Sequence, residues 1–273
     1  MPWHFFDSRA RLKRAEAHIN KMGEVWSRFL DDDPYIPVVR VEDNGEGTIS
    51  ALPDEHFPGE ELSLELGEAL YQLRAALDSC VYTAARIDSG QTPPPNEEKL
   101  GFPICRTEKS WIGSSGQIAP LSDMRRAMIS DIQPCHAATQ SPGLREVSEV
   151  LDMLNDWARK DRHRHLRVIG SWGAERKPEL RLPDGVRSKW FTVTTDGFLD
   201  HQSVVAEFAL EGWVPGMHIE GNPDLMIEIA ADEPPPRTEA EDTLHRRLAY
   251  MVISVRTVIE GFEESYRPDF SPA

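Results

Sequence analysis

Hydrophobic residues recur every three or four positions along four long stretches of the chain, which is the spacing of one face of an α-helix. These stretches predict long helices over residues 8–30, 61–88, 144–162 and 238–264. The helix over 61–88 has the most regular apolar face, made by Leu66, Leu70, Leu73, Leu77, Val81 and Ala84. Shorter runs with the same spacing predict two further helices, over 107–113 and 121–130.

Alternation between apolar and polar residues, broken by turn residues, marks the β structure. The turn Asp43-Asn44-Gly45-Glu46-Gly47 predicts an antiparallel hairpin over 35–52, because Asn and Gly tolerate positive φ angles. Several short apolar runs separated by turn residues make 166–231 a β-rich segment. The predicted fold is α+β, with the four long helices in a bundle and the β elements packed against it. We expect one domain over 1–273, in which the β-rich segment is an insertion before the C-terminal helix.

Composition narrows the classes of partner. The formal net charge of −16 disfavours a broad surface for DNA or for an anionic membrane. We find no apolar run long enough for a secretory signal or a membrane span. Three cysteines at irregular spacing fit neither a disulfide framework nor a zinc site, so we expect a cytoplasmic protein with reduced thiols and no cofactor.

Arg74 and Asp78 lie one turn apart, on the shoulder of the apolar face of the central helix. One interpretation is a helix-edge ion pair of little energetic value. The other is an anion site in which Arg74 binds a phosphate or carboxylate and Asp78 holds the guanidinium in place, since the planar fork of arginine can donate two hydrogen bonds to one anion.

A second polar cluster follows the helix over 144–162. The angular count places Asp161 within the apolar stripe of this helix, with Asp156 and Lys160 pointing outward. A buried carboxylate needs a partner. The structural interpretation gives Asp161 an ion pair with Arg74. The functional one makes His163 a general acid/base, with Arg164 among the neighbouring cationic donors.

Two other kinds of chemistry can be weighed from the same residues. Asp78, Asp161, His163 and His165 offer metal-ligand atoms, but their spacing matches no established site and the adjacent arginines disfavour a cation, so we predict no metal site. The Cys135-His136 pair resembles a nucleophile with its base, but sequence neighbours rarely face each other. Dinucleotide, phosphate-loop and Gly-x-Ser-x-Gly motifs are absent from the sequence.

Several short motifs resemble a family of uncharacterised bacterial proteins. They are Leu66-Gly67, Leu73-Arg74-Ala75-Ala76-Leu77-Asp78, Phe102-Pro103-Ile104, Gln133-Pro134 and Asp161-Arg162-His163-Arg164, together with Arg14-Ala15-Glu16-Ala17-His18-Ile19. The resemblance covers most of residues 10–165 and implies no activity. The chain departs from the family pattern at Tyr71 and Ser79, where histidines are expected, and at Gln72, where asparagine is expected. Those departures weaken a metal or acid/base role for the central helix.

A looser resemblance is to HEPN-type helical ribonucleases, which carry an arginine, four to six residues and then a histidine at a helix end. Arg159 and His165 have that spacing. The resemblance implies metal-independent RNA cleavage by a homodimer, with His163 or His165 as acid/base and Arg159 or Arg164 stabilising charge.

Two hypotheses follow from the sequence. In the first, the protein is a non-catalytic bundle whose Arg74, Asp78, Asp161 and Arg164 are structural or bind a small anion. In the second, it is a homodimeric ribonuclease. The sequence alone favours the first, because it contains no specific catalytic motif.

Overall fold

The computed structural model of the 273-residue chain describes most of the polypeptide. The described residues are 5–31, 35–53, 57–164, 166, 168–172, 179–193, 198–199, 203–221, 227–231 and 243–267.

Within these ranges the chain forms six α-helices and nine strands, so the α+β prediction is confirmed. The helices are α1 (Phe6–Leu30), α2 (Gly59–Ser89), α3 (Glu108–Gly113), α4 (Asp123–Asp131), α5 (Pro142–Arg164) and α6 (Leu244–Glu264). The strands are β1 (Tyr35–Val41), β2 (Glu46–Pro53), β3 (Val168–Trp172), β4 (Leu180–Arg181), β5 (Arg187–Val193), β6 (Phe198–Leu199), β7 (Ser203–Glu211), β8 (Glu220–Gly221) and β9 (Ile227–Ala231).

The helix boundaries follow the sequence pattern closely. The three long helices α1, α2 and α5 lie within two residues of their predicted limits at each end. The first turn of α3 is fixed by a capping box, in which Thr107 accepts a hydrogen bond from the Ser110 amide and Ser110 accepts one in return. The predicted start of the last helix, over 238–242, lies outside the described residues.

The hairpin forms around the predicted turn. Strands β1 and β2 are antiparallel, and Gly45 adopts a φ of 83° between them. The hairpin does not stand alone, because β2 also pairs with β7 and completes a four-stranded sheet in the order β1-β2-β7-β5. This sheet buries a core centred on Ile49, Ala206 and Phe208. The sequence pattern predicts the hairpin and the β-rich segment as separate elements and gives no sign of the sheet that they share.

The chain divides into two compact units. The first contains residues 1–22, 63–166 and 245–273, and the second contains residues 23–62 and 167–244. The first unit therefore holds the helices α3, α4 and α5 together with parts of α1, α2 and α6. The second unit holds all nine strands described above. The single-domain interpretation of the sequence stays a prediction.

The interior of the first unit is built on the predicted apolar face of α2, whose six residues are all fully buried. Four of them are leucines, and each fully buried leucine contributes about 1.5–3 kcal/mol of hydrophobic stabilisation. Because this face points into the core, the adjacent shoulder of α2 lies along the edge of the helix packing. That shoulder carries Arg74 and Asp78.

The described helices can also be compared with the length and apolarity that a membrane span requires. Each is too short or too polar to cross a membrane. The expectation that the protein does not span a membrane agrees with this finding over the part of the chain that can be described.

Candidate functional site

A cavity of about 370 Å³ lies on the shoulder of α2, within the first unit. Helix α1 contributes Arg11 to its lining, α2 contributes Arg74 and Asp78, and α5 contributes Asp161 and Arg162. The cavity thus brings together Arg74, Asp78 and Asp161, which the sequence pattern predicts as site residues. Arg74 and Asp161 are more than 80 residues apart in the sequence. Its volume is in the range of small-molecule sites.

One face of α2 supplies most of the lining. Its seven lining residues follow the helical repeat from Gly67 to Tyr82, and the two tyrosines among them, Tyr71 and Tyr82, are exposed at 55% and 37%. Arg74 and Asp78 form the predicted pair, with Nη2 of Arg74 at 3.4 Å from Oδ1 of Asp78. At this distance and with Asp78 partly exposed, the ion pair is a weak one.

Both members of the pair are held by the backbone of one loop residue. The Phe102 amide donates to Oδ1 of Asp78 at 2.9 Å, and Nη2 of Arg74 donates to the Phe102 carbonyl at 3.1 Å. The loop is itself fixed by the fully buried Gln133, which accepts from the Cys105 amide and donates to the Pro103 carbonyl. Gln133 therefore positions the loop that orients Arg74 and Asp78.

The Arg74 guanidinium is largely buried, and its side chain is only 19% exposed. Burial lowers the pKa of Arg74, the Asp78 carboxylate opposes that change, and the positive charge of Arg162 adds to the lowering. Arginine nevertheless stays protonated at any physiological pH. The Nη1 nitrogen of Arg74 is buried and has no hydrogen-bond partner among the residues that the structure describes. A buried charged donor without an acceptor costs more than the about 1–3 kcal/mol of a neutral one.

Asp161 is half-buried and packs directly against Gly67 of α2. A methyl group added at Gly67 would lie 2.6 Å from Oδ2 of Asp161, so glycine allows the carboxylate to approach the helix. Oδ1 of Asp161 accepts a hydrogen bond from the Leu166 amide at 3.4 Å. Among the described residues the ion pair between Arg74 and Asp161 that the sequence brought into consideration is absent, because the ion pair of Arg74 is made with Asp78.

The lining carries an excess of positive charge, with three arginines and two aspartates. Arg11 donates to Gln72 at 3.4 Å, and Nε of Arg162 donates to the Ala158 carbonyl of its own helix at 3.1 Å. Within the described ranges neither arginine has a carboxylate partner. In a protein with a formal net charge of −16, this is a local concentration of available cationic donors.

The remaining predicted site residues are placed as follows. His163 is exposed at the end of α5, and Arg159 donates to Asp156 at 2.9 Å. His165 and the side chain of Arg164 lie outside the described part of the chain. Of the two whose side chains are described, His163 and Arg159, neither lines the cavity. The prediction that Asp156 and Lys160 point outward is wrong, since both side chains are 17% exposed and bind each other at 2.9 Å.

A second group of chemically capable side chains was not predicted. Glu108, Cys135 and His136 place one ligand atom each within 4.8 Å of the others. The neighbours Cys135 and His136 thus contribute to one cluster, in contrast to the expectation from sequence. Burial and the Glu108 carboxylate raise the pKa of Cys135, which disfavours a nucleophilic thiolate. The signal in the sequence was incomplete because Glu108 lies 27 residues from Cys135.

Comparisons of the chain with protein-family models, with curated proteins and with solved structures each return no match. The geometry of the cavity is therefore the basis for inferring a function.

Proposed function

We propose that the protein binds a small anion, such as a phosphate or carboxylate compound, in the cavity between α1, α2 and α5. The observation that carries this proposal is that Arg74 lines the cavity together with Arg11 and Arg162, while its buried Nη1 has no hydrogen-bond partner among the described residues. An entering anion brings negative charge into surroundings where a guanidinium is poorly solvated, and so offsets part of the cost of burying Arg74.

The two acids of the cavity are each engaged by a backbone amide. Asp78 and Asp161 each accept a backbone amide, from Phe102 and Leu166 respectively. These bonds satisfy part of the carboxylates' acceptor capacity. The arginines keep donors for a ligand, and arginine is suited to phosphate and carboxylate because its fork can bind two oxygens at once.

The cavity also has apolar surface, which limits the class of ligand. Leu100, Ala75 and Ala158 line it beside the arginines, and Tyr71 lies at its exposed edge. A volume of about 370 Å³ accommodates more than an inorganic ion. We infer a metabolite-sized compound with one anionic group directed at the arginines, bound without chemical conversion by a cytoplasmic protein.

The test is a thermal-shift and calorimetric screen of phosphate, pyrophosphate and di- and tricarboxylates against the full chain. A ligand that binds only the folded state raises the unfolding temperature in a concentration-dependent way. Arg162→Ala removes a cationic donor from the cavity and should weaken binding at least about tenfold, because hydrogen bonds to charged groups contribute about 1.5–3 kcal/mol.

Arg126→Ala is the matched control, since Arg126 belongs to the same unit, pairs with Asp123 and does not line this cavity. The Arg126→Ala variant should bind each anion with the same affinity as the unmodified protein. Equal stabilisation of all three proteins by every anion would show nonspecific ionic effects, and no stabilisation at all would exclude the anion site.

The ribonuclease interpretation remains as the alternative. One observation favours it: His163 is exposed at the end of α5, where it is accessible to RNA. Arg159 gives it less support, because its guanidinium is already bound to Asp156. Incubation with mixed RNA and excess chelator, beside His163→Ala and His165→Ala, separates the two functions. Cleavage lost in one variant, by a protein that sediments as a homodimer, would establish the nuclease.

A further inference from the structure

The cluster of Glu108, Cys135 and His136 lies outside the anion cavity and has a chemistry of its own. Cys135 and His136 belong to a 3-10 segment, Pro134–Thr139, and Glu108 is the first residue of α3. The three residues offer one sulfur, one ring nitrogen and one carboxylate oxygen, all within 4.8 Å of one another.

The orientation of the His136 ring is fixed by the backbone. Its Nδ1 lies 2.8 Å from the Ser130 carbonyl oxygen, which can only accept a hydrogen bond. Nδ1 therefore carries a hydrogen, and in the neutral ring Nε2 is left with a lone pair. Metal-binding histidines are oriented in the same way, by a carbonyl or carboxylate on the second nitrogen.

The free side of the ring faces a second acceptor. Nε2 of His136 lies 3.2 Å from Oε2 of Glu108. Two lone pairs at this distance repel each other unless a cation lies between them, either a proton on Nε2 or a metal ion bound to both atoms. The Cys135 sulfur close to both atoms is the observation that separates these cases, since an imidazolium–carboxylate pair needs no thiol.

The distances fit a tetrahedral metal. Zn²⁺ binds sulfur at about 2.3 Å and nitrogen or oxygen at about 2.0–2.2 Å, so its ligand atoms lie about 3.2–3.8 Å apart. The separation of 3.2 Å between Nε2 of His136 and Oε2 of Glu108 is within that range. The Cys135 sulfur lies within 4.8 Å of the other two ligand atoms, so only a small side-chain movement is needed for all three to bind one ion. The Glu108 side chain is 64% exposed, which gives an ion access from solvent.

We propose that Glu108, Cys135 and His136 form a binding site for a divalent transition metal of the zinc class, with a fourth position open to water. Mixed sulfur, imidazole and carboxylate ligation suits Zn²⁺ and Co²⁺ and disfavours Mg²⁺ and Ca²⁺, which prefer oxygen. This proposal does not depend on the proposed anion binding.

The test uses the full-length protein with Co²⁺ as a spectroscopic substitute for Zn²⁺, and a chromophoric chelator to measure Zn²⁺ affinity by competition. We expect one metal per chain and a near-ultraviolet thiolate-to-cobalt charge-transfer band. Cys135→Ser should abolish the band, and His136→Ala should lower Zn²⁺ affinity at least about 100-fold, since loss of even an outer partner costs about 10–100-fold.

His18→Ala is the matched control, because His18 also pairs with a glutamate, Glu65 at 2.6 Å, in the same unit. It should keep both the band and the affinity. Circular dichroism of each variant establishes that it folds. A native protein that takes up Co²⁺ without the band, or Zn²⁺ binding that is the same in Cys135→Ser, would overturn the proposal and leave only a hydrogen-bonded pair of His136 and Glu108.

Discussion

At the scale of single residues, Asp156 shows how an acid can be misplaced by helical periodicity. The pattern put it on the outer face of α5, yet Lys160 and Arg159 each lie 2.9 Å from it and Arg106 lies at 3.9 Å. Burial raises the pKa of Asp156, but the hydrogen bonds from Lys160 and Arg159 outweigh it, and the net direction is downward. The angular count gives the direction of a side chain and not which loops and neighbouring side chains cover it.

This lowered pKa predicts a pH-dependent contribution to stability. A carboxyl whose pKa is lower in the folded state stabilises the fold above its unfolded pKa, about 3.9, and loses that contribution as the pH falls through the folded value. Asp156→Asn should therefore cost about 1–2 kcal/mol at pH 7 and progressively less below about pH 4.

Urea unfolding at pH 7 and pH 3 measures this difference. Asp123→Asn serves as the control, because the Asp123 side chain is 95% exposed, and it should change stability little at either pH. A cost for Asp156→Asn that is the same at both pH values would show that the ionised form of Asp156 is not what stabilises α5.

At the scale of elements, the contact between α2 and α5 depends on a glycine. Gly67 lies in the interior of α2, where alanine would be favoured by about 1 kcal/mol on helix propensity alone. The carboxylate of Asp161 lies too close to the helix there to leave room for a methyl group. Because Asp161 also lines the cavity for which anion binding is proposed, this close approach helps to set the shape of that cavity.

Gly67→Ala should therefore not give the stabilisation of about 1 kcal/mol that alanine provides in an open helix position. It should also lower the affinity for the proposed anion, because the added methyl group displaces Asp161. Gly23→Ala in α1 is its match, since an added methyl group there meets nothing within 4 Å. We expect Gly23→Ala to stabilise the protein by up to about 1 kcal/mol in thermal or urea unfolding. An equal gain for Gly67→Ala would show that α5 moves aside without cost.

At the scale of the whole molecule, a buried polar cluster connects distant parts of the first unit. Asp88 at the end of α2 accepts hydrogen bonds from Arg125 of α4 at 2.7 Å and from the Tyr266 hydroxyl at 2.9 Å. The Arg125 guanidinium lies 3.4 Å from the Tyr266 ring centroid and also donates to the Ser265 carbonyl. Burial raises the pKa of Tyr266 well above its usual range. Neither Arg125 nor Asp88 was singled out from the sequence.

Asp88→Ala leaves the buried Arg125 without its carboxylate and should cost about 3–5 kcal/mol. Arg125 and Asp88 are each only 9% exposed, which is why the effect is large. Arg9→Ala removes an ion pair with Glu263 that joins parts of the chain still farther apart in sequence, but Arg9 is 46% exposed and the cost should stay within about 1 kcal/mol. Chemical denaturation of both variants tests the contrast. Similar losses would mean that burial does not control the strength of these pairs.

The sequence by itself determined the helices, the hairpin turn and the residues on the shoulder of α2. These depend on spacing within one element, and a helical or turn preference is set by neighbouring residues. The apolar face of α2 and the association of Arg74 with Asp78 were predictable for that reason.

Tertiary structure alone decided the pairing of β2 with β7, the burial of Arg74 beneath the Phe102 loop and the approach of Glu108 to His136. Each joins segments far apart in the sequence, so no local pattern records it. Packing likewise decided whether Arg74 forms an ion pair with Asp78 or with Asp161. The Asp161 carboxylate fits into the space beside Gly67, and the Phe102 backbone orients the Arg74 guanidinium toward Asp78.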